Sequence, residues 1–319
     1  MKIAILDDYQ DAVRHLRCFQ ILDGHEVKVF QNRAVGIGQL AIRLASFDAL
    51  VLIRERTTIS RALLNKLPNL KVIAQTGRIA GNIDIEAAQE RGIPILEGKG
   101  DPTAPAELAW ALIMASSRKI PNYASLLQDH VWQTASLYPQ NNGLGRVLKG
   151  RRLGIWGYGR IGKLVASYSK AFGMQVQIWG SEASRAAAVQ DGYSASASRE
   201  DFFASSDVLS LHLRLTEGTR GIVSEEDLMR MKPDALLVNV SRAELIAENA
   251  LVNALGAGRP GFAALDVFET EPLPRDYPLL NRENVLLTPH IGFVEQDSYE
   301  MYFGEAFRQL VDFARNKNL

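Results

Sequence analysis

A single cysteine, Cys18, stands among the 319 residues, which excludes an internal disulfide framework and a thiolate metal cluster. Its ordinary place is a half-buried core thiol. The chain also lacks net charge: 36 basic residues balance 36 acidic ones, so no global field draws it to nucleic acid or to an anionic membrane. No apolar run approaches the roughly 18 residues of a spanning helix. The opening MKIAILDDYQ turns acidic by Asp7, too soon for a signal peptide. No histidine group has ligand-like spacing, so no metal is expected. These absences point to a soluble cytoplasmic protein with neither nucleic acid nor a membrane as a partner.

What is present is ordinary globular material, 47% hydrophobic and 23% charged, in a length that suits two domains. The first hundred residues alternate short β-like runs, at 3–6, 26–30, 49–53, 71–75 and 93–96, with helix-compatible stretches at 37–44, 60–67 and 85–91. Ser60 and Asp84 suit helix N-caps, and Gly92 suits a stop. Composition shifts around 98–105, and a long helical pattern then runs from 104 through LAWALIMASSRKI. Strand and helix alternate again from 152, with strands expected at 153–156, 175–179, 208–211, 235–240, 261–265 and 285–287. Helices are expected at 161–172, 224–231 and 243–256. In the last stretch Tyr299, Phe303, Ala306, Leu310 and Phe313 fall on one helical face. A terminal helix packing back on the first domain makes two chain crossings, near Gly100 and Pro289. The expected fold is therefore α/β: two Rossmann-like, doubly wound parallel-sheet domains separated by a hinged cleft. A substrate-binding domain spans 1–99 plus 291–319, and a dinucleotide-binding domain spans 100–290.

The segment RLGIWGYGRIGK carries the most specific signal. A short apolar run feeds into Gly157, Gly159 and Gly162, and an amphipathic stretch follows from Ile161. Strand, tight turn and helix in that order aim backbone N–H groups and a helix N-terminus at one point, which suits a pyrophosphate. An acid about twenty positions on would hold the adenosine ribose. That position is Gly180, followed by Ser181 and Glu182. Glu182 suits the ribose 2′-hydroxyl of NAD, whereas Ser181 and Arg185 suit the 2′-phosphate of NADP. The balance tips slightly to NAD.

Three ionisable residues follow strand ends in the second half: Arg242 after LLVNVS, Glu271 beyond Asp266, and His290 after NVLLTP. Ligands of open α/β sheets bind outside the carboxyl ends of strands. An arginine fork grips a carboxylate at any working pH, and an imidazolium beside a carboxylate protonates a developing alkoxide. The trio points to reversible carbonyl reduction.

These motifs together resemble the D-isomer-specific 2-hydroxyacid dehydrogenases, a family that includes phosphoglycerate and glyoxylate/hydroxypyruvate enzymes. The resemblance rests on GIWGYGRIG, SDVLSLHLRLTEGTRGIV, MKPDALLVNVSRAELI, ALDVFETEPLP and NVLLTPHIG, in order through nearly the whole chain. It implies that Arg242 grips the substrate carboxylate, that Glu271 supports His290, and that His290 exchanges the proton. It implies that Asp266 holds the nicotinamide carboxamide, and that Arg160 and Ile161 meet the pyrophosphate. Val240 and His212 would line the cofactor site. In QTGRIAGNID, it implies that Gly77, Arg78 and Ile79 bind the substrate carboxylate, with Arg54 and Arg56 close by. A homodimer formed through the cofactor domains is also implied.

The chain departs from the family where SRAE replaces the usual Ala-Arg-Gly-Gly, where HLR replaces HxP, and where Arg78 replaces a small apolar residue. Arg78 suits recognition of an extra anionic group on the substrate. Formate or phosphite dehydrogenation on the same plan, and a non-catalytic NAD(H)-sensing protein, are the alternative readings.

Overall fold

Strands form where short runs of β-branched and aliphatic residues are closed off by polar or glycine positions. In the first part of the chain these are β1 (Lys2–Ile5), β2 (Glu26–Val29), β3 (Ala49–Leu52), β4 (Val72–Gln75) and β5 (Ile95–Glu97). They pair in parallel in the order β2-β1-β3-β4-β5. Parallel neighbours need crossovers, and helices α1 (Gly36–Leu44), α2 (Arg61–Leu64) and α3 (Ile85–Glu90) lie in three of them. Ser60 and Asp84 cap α2 and α3 by accepting from the N–H groups of Leu63 and Ala87, as their positions predict. β3 and β4 are buried throughout, as strands covered on both faces must be.

The second sheet starts after the long helix α4 (Thr103–Ser117) and α5 (Ile120–Gln128). Its seven strands are β6 (Arg152–Trp156), β7 (Gln175–Trp179), β8 (Ser194–Ala195), β9 (Val208–Leu211), β10 (Leu236–Asn239), β11 (Phe262–Leu265) and β12 (Val285–Leu287). All neighbours are parallel, in the order β12-β11-β10-β9-β6-β7-β8. The order reverses between β6 and β9, the switch point at which open α/β sheets bind ligands. The helices are α6 (Arg160–Ala171), α7 (Glu182–Gln190), α8 (Arg199–Ser205), α9 (Glu225–Arg230) and α10 (Ala250–Gly256). Strand alternation divides the core: Leu209, Leu237 and Leu265 face one layer, while Ile155, Val238 and Ala264 face the other.

The computed structural model describes residues 1–137 and 143–317. The chain forms two units, Met1–Asp101 with Val294–Leu319, and Pro102–Phe293. The last helix, α11 (Gln296–Lys317), belongs to the first unit and buries Tyr299, Phe303, Phe307 and Leu310 there. Among the described residues no helix is long and apolar enough to cross a membrane.

Local readings of the sequence need correction in three places. The run through LAWALIMASSRKI is two helices, because Lys119 adopts φ +52° and Pro121 opens the second. The helix expected at 243–256 begins only at Ala250. Before it, Ile246 forms a parallel bridge with Val223, and the Val223 N–H donates to the Leu245 carbonyl. Helices α7 and α8 fill gaps between strands, as the alternation predicts, but the two-residue edge strand β8 is not among the expected strands, since two exposed residues carry no apolar pattern.

Candidate active site

The glycine turn follows β6, at the switch point. Gly157 has φ +101°, and a Cβ there would lie 2.6 Å from the His212 carbonyl oxygen, so no side chain is tolerated. A Cβ on Gly162 would fall 2.2 Å from the Gly157 carbonyl oxygen, which is how closely α6 packs on the turn. Gly159 is different: a Cβ there meets nothing within 4 Å, and this residue starts α6 with no side-chain cap. The N-cap of α6 is thus a glycine, which offers no capping side chain to the first turn that begins at Arg160 and Ile161. An open glycine at an uncapped helix start fits a pyrophosphate.

Tyr158, between the glycines, is a residue that motif reading passes over. Its ring is buried, and its hydroxyl donates to Asp191 Oδ2 at 2.8 Å, as Lys163 Nζ does at 2.9 Å. Burial and Asp191 push the Tyr158 hydroxyl well above the usual phenol range, so it stays a donor and anchors the turn. At the end of β7, Gly180 has φ +151°, and Ser181 caps α7 by accepting from the Ser184 N–H. Glu182 is exposed at the first position of α7, and Arg185 stacks 4.9 Å over the Trp179 ring.

His212 directly follows β9, with its carbonyl against Gly157 of the turn. One ring nitrogen, Nε2, lies 2.8 Å from Ser210 Oγ, while Nδ1 is buried with no hydrogen-bond partner among the described residues. Burial pulls this imidazole down to about 4, so it is neutral at pH 7. Val240 packs into the core with Ile155 and Val238.

The three neighbouring strands β10, β11 and β12 end in the ionisable trio. Adjacent strands run about 4.8 Å apart, so residues just past their ends are brought within a few side-chain lengths. Asn239, the last residue of β10, shapes the turn that follows: its Oδ1 accepts from the Ser241 N–H at 3.0 Å and its Nδ2 donates to the Arg242 carbonyl at 2.8 Å. Arg242 Nη1 donates to the Ser241 carbonyl at 2.6 Å. After β11, Glu271 accepts the Phe268 N–H on Oε1 at 3.0 Å and faces His290 Nδ1 with Oε2 at 2.7 Å. Burial pushes the Glu271 carboxyl up. The bond and charge of His290, the Phe268 N–H and the Arg242 charge outweigh it, leaving Glu271 below the ordinary glutamate range. Arg242, Glu271 and His290 thus share one electrostatic environment, and Glu271 is ionised at neutral pH. The neighbouring Glu269 is exposed.

Asp266, also at the end of β11, is fully buried and bonds to Thr288, Ile291 and Gly292 on either side of His290.

The first unit carries its own set at the carboxyl ends of β3 and β4. Gly77 has φ +74°, and a Cβ there would lie 2.0 Å from Arg54 Nη1. Arg54 itself has φ +50°, with its N–H donating to Thr76 Oγ1 at 2.9 Å. Arg56 Nη1 donates to the Asp7 carbonyl at 2.7 Å. Arg78 is exposed, and the Ile79 N–H, one of the expected carboxylate binders, donates to Glu97 Oε2 at 3.2 Å.

Residues 110–292 match the family described as D-isomer specific 2-hydroxyacid dehydrogenase, NAD binding domain. Glyoxylate reductase of Aeropyrum pernix is 38% identical over 257 residues, 80% of this chain and 76% of that one. Glyoxylate reductase of Thermococcus litoralis is 35% identical over 297 residues, 92% of this chain and 88% of that one. Among solved structures, a phosphoglycerate oxidoreductase from Vibrio cholerae is 52% identical, covers 99% of both chains and superposes with a TM-score of 0.95.

Proposed function

The chain belongs to the D-isomer specific 2-hydroxyacid dehydrogenases, and on that premise we propose which of its residues carry the reaction. It is an NAD(P)-dependent oxidoreductase that interconverts 2-oxo and 2-hydroxy acids. The residue roles that follow rest chiefly on one observation, the 2.7 Å contact between His290 Nδ1 and Glu271 Oε2 beside Arg242.

The turn at Gly157, Gly159 and Gly162 and the uncapped start of α6 hold the dinucleotide. When bound, the reduced nicotinamide supplies hydride to C2 of the 2-oxo acid. Because Nδ1 of His290 is held by the Glu271 carboxylate, Nε2 carries the proton given to the nascent alkoxide oxygen. Ionised Glu271 fixes the ring and balances its charge. Arg242 binds the substrate carboxylate through its fork and polarises the adjacent keto group. In the oxidative direction His290 takes the proton back. Formate oxidation leaves no alkoxide to protonate, so a dyad built for proton exchange favours the 2-oxo acid reaction. A pure cofactor sensor has no use for it.

We also propose a homodimer joined through the second unit, where Ile120, Leu127, Trp132 and Leu144 expose apolar side chains on and after α5. Light scattering on the purified protein tests this.

The deciding experiment is an initial-rate panel of glyoxylate, pyruvate, hydroxypyruvate, dicarboxylic 2-oxo acids, formate and phosphite, with NADH or NADPH for reduction and NAD or NADP for oxidation. His290→Ala is expected to lower kcat by about 10³-fold, with the NADH Kd changing by less than about twofold. Retained turnover, or loss of NADH binding instead, refutes the assignment.

A further inference from the structure

We propose that Asp266 is a positioning residue whose buried carboxylate clamps the loop presenting His290. This rests on the reading of His290 as the proton donor, and it gives Asp266 a task other than holding nicotinamide.

The geometry lies wholly within the second unit. Asp266 is anchored at the end of β11, its own N–H donating to the Asn239 carbonyl at 3.0 Å. Its Oδ1 accepts from Thr288 Oγ1 at 2.6 Å and from the Ile291 N–H at 2.8 Å, and its Oδ2 accepts from the Gly292 N–H at 2.9 Å. The chain between those contacts contains His290 in the left-handed region, at φ +52°. A non-glycine residue there is strained by roughly 1–3 kcal/mol, and it persists only where its surroundings over-determine it. Beside the Thr288 N–H bond to the Leu265 carbonyl and the turn bond from the His290 N–H to the Thr288 carbonyl, the loop's Ile291 and Gly292 N–H groups both donate to Asp266. Gly292 fits the clamp as well, since a Cβ there would press on Asp266 Oδ2 at 3.3 Å.

A carboxylate has about four acceptor sites. Three are used by the loop, which leaves at most one for any other donor. The carboxylate extends the β11–β12 pairing past the strand ends, where peptide groups alone no longer match. The imidazole is thereby held from two directions: Asp266 fixes its backbone, and Glu271 fixes its ring.

The test compares Asp266→Asn and Thr288→Val in the full-length protein, alone and combined with His290→Ala. Asparagine turns one acceptor oxygen into a donor that faces a backbone N–H, and valine removes only the hydroxyl contact. Asp266→Asn is expected to lower kcat by about 10²-fold, the scale of a 1 Å misplacement. Thr288→Val, which removes one hydroxyl contact and keeps the side-chain shape, shifts kcat in the same direction. NADH Kd by fluorescence stays within about twofold, and amide exchange at Ile291 and Gly292 quickens. In the His290→Ala background, Asp266→Asn changes the residual turnover little, because its effect passes through the missing ring. The proposal is overturned if Asp266→Asn weakens NADH binding tenfold or more while loop exchange is unchanged. It is equally overturned if the substitution costs the same factor with and without His290. Retention of turnover by His290→Ala alone is a different failure, that of the functional reading.

Discussion

The buried imidazole of His212 makes the second unit sensitive to acid in a way that can be separated from other titrations. In the unfolded chain this group titrates near its ordinary 6.5, whereas burial pulls it to about 4 in the folded protein. Between those values the unfolded state binds the extra proton, so stability rises with pH across the window and is lost as pH falls through it. At about 1.4 kcal/mol for each pH unit, the interval sets a ceiling of about 3 kcal/mol. Because His212 as a whole residue is only partly buried, the expected loss is about 2 kcal/mol between pH 7 and pH 4.5. All four tryptophans, Trp110, Trp132, Trp156 and Trp179, lie in this unit, so their fluorescence reports its unfolding. Urea midpoints measured against pH for the wild type and for His212→Gln isolate the contribution, because glutamine does not titrate. The wild type is expected to lose about 2 kcal/mol more than the variant over that range. Parallel curves for the two proteins refute the argument.

Gly162→Ala places a methyl group 2.2 Å from the Gly157 carbonyl oxygen, and something must move. Overpacking of this kind costs about 1–3 kcal/mol, and NADH Kd by fluorescence titration is expected to rise at least about tenfold. Arg78→Ala is expected to lower kcat/KM for dicarboxylic 2-oxo acids by about tenfold relative to pyruvate, the scale of one charged hydrogen bond; an unchanged ratio across the panel removes Arg78 from specificity. The Cys18 thiol is pushed up to about 12 by burial and by Glu300. Iodoacetamide at pH 8 should therefore label the folded protein far more slowly than the urea-unfolded one.

Some features were legible in the sequence because a local requirement dictates them. Gly157 and Gly162 answer to backbone geometry and close packing, and only glycine meets both demands. Arg242, Glu271 and His290 were legible because each follows a recognisable strand, and parallel crossovers bring consecutive strand ends side by side. The strand edges themselves were read within a residue or two. What escaped was set by contacts between distant parts of the chain. Tyr158 and Asp191 are 33 positions apart, and no periodicity links them. The break before α10 depends on Ile246 pairing with Val223, which overrides the helical preference of the intervening residues. Asp266 reads from its motif as a cofactor ligand, and its bonds to 288, 291 and 292 become visible only once β11 and β12 are paired.

The composition of the first unit has a consequence for how this protein is made. Its sheet is complete once β5 has left the ribosome, yet α11 emerges only after all of Pro102–Phe293 has been synthesised. At about 5–20 residues each second, that interval lasts on the order of ten seconds or more. During it the surface destined for Phe303, Phe307 and Leu310 has no cover, while the uninterrupted second unit can already fold. The nascent first unit is thus the part that a ribosome-associated chaperone would need to shield.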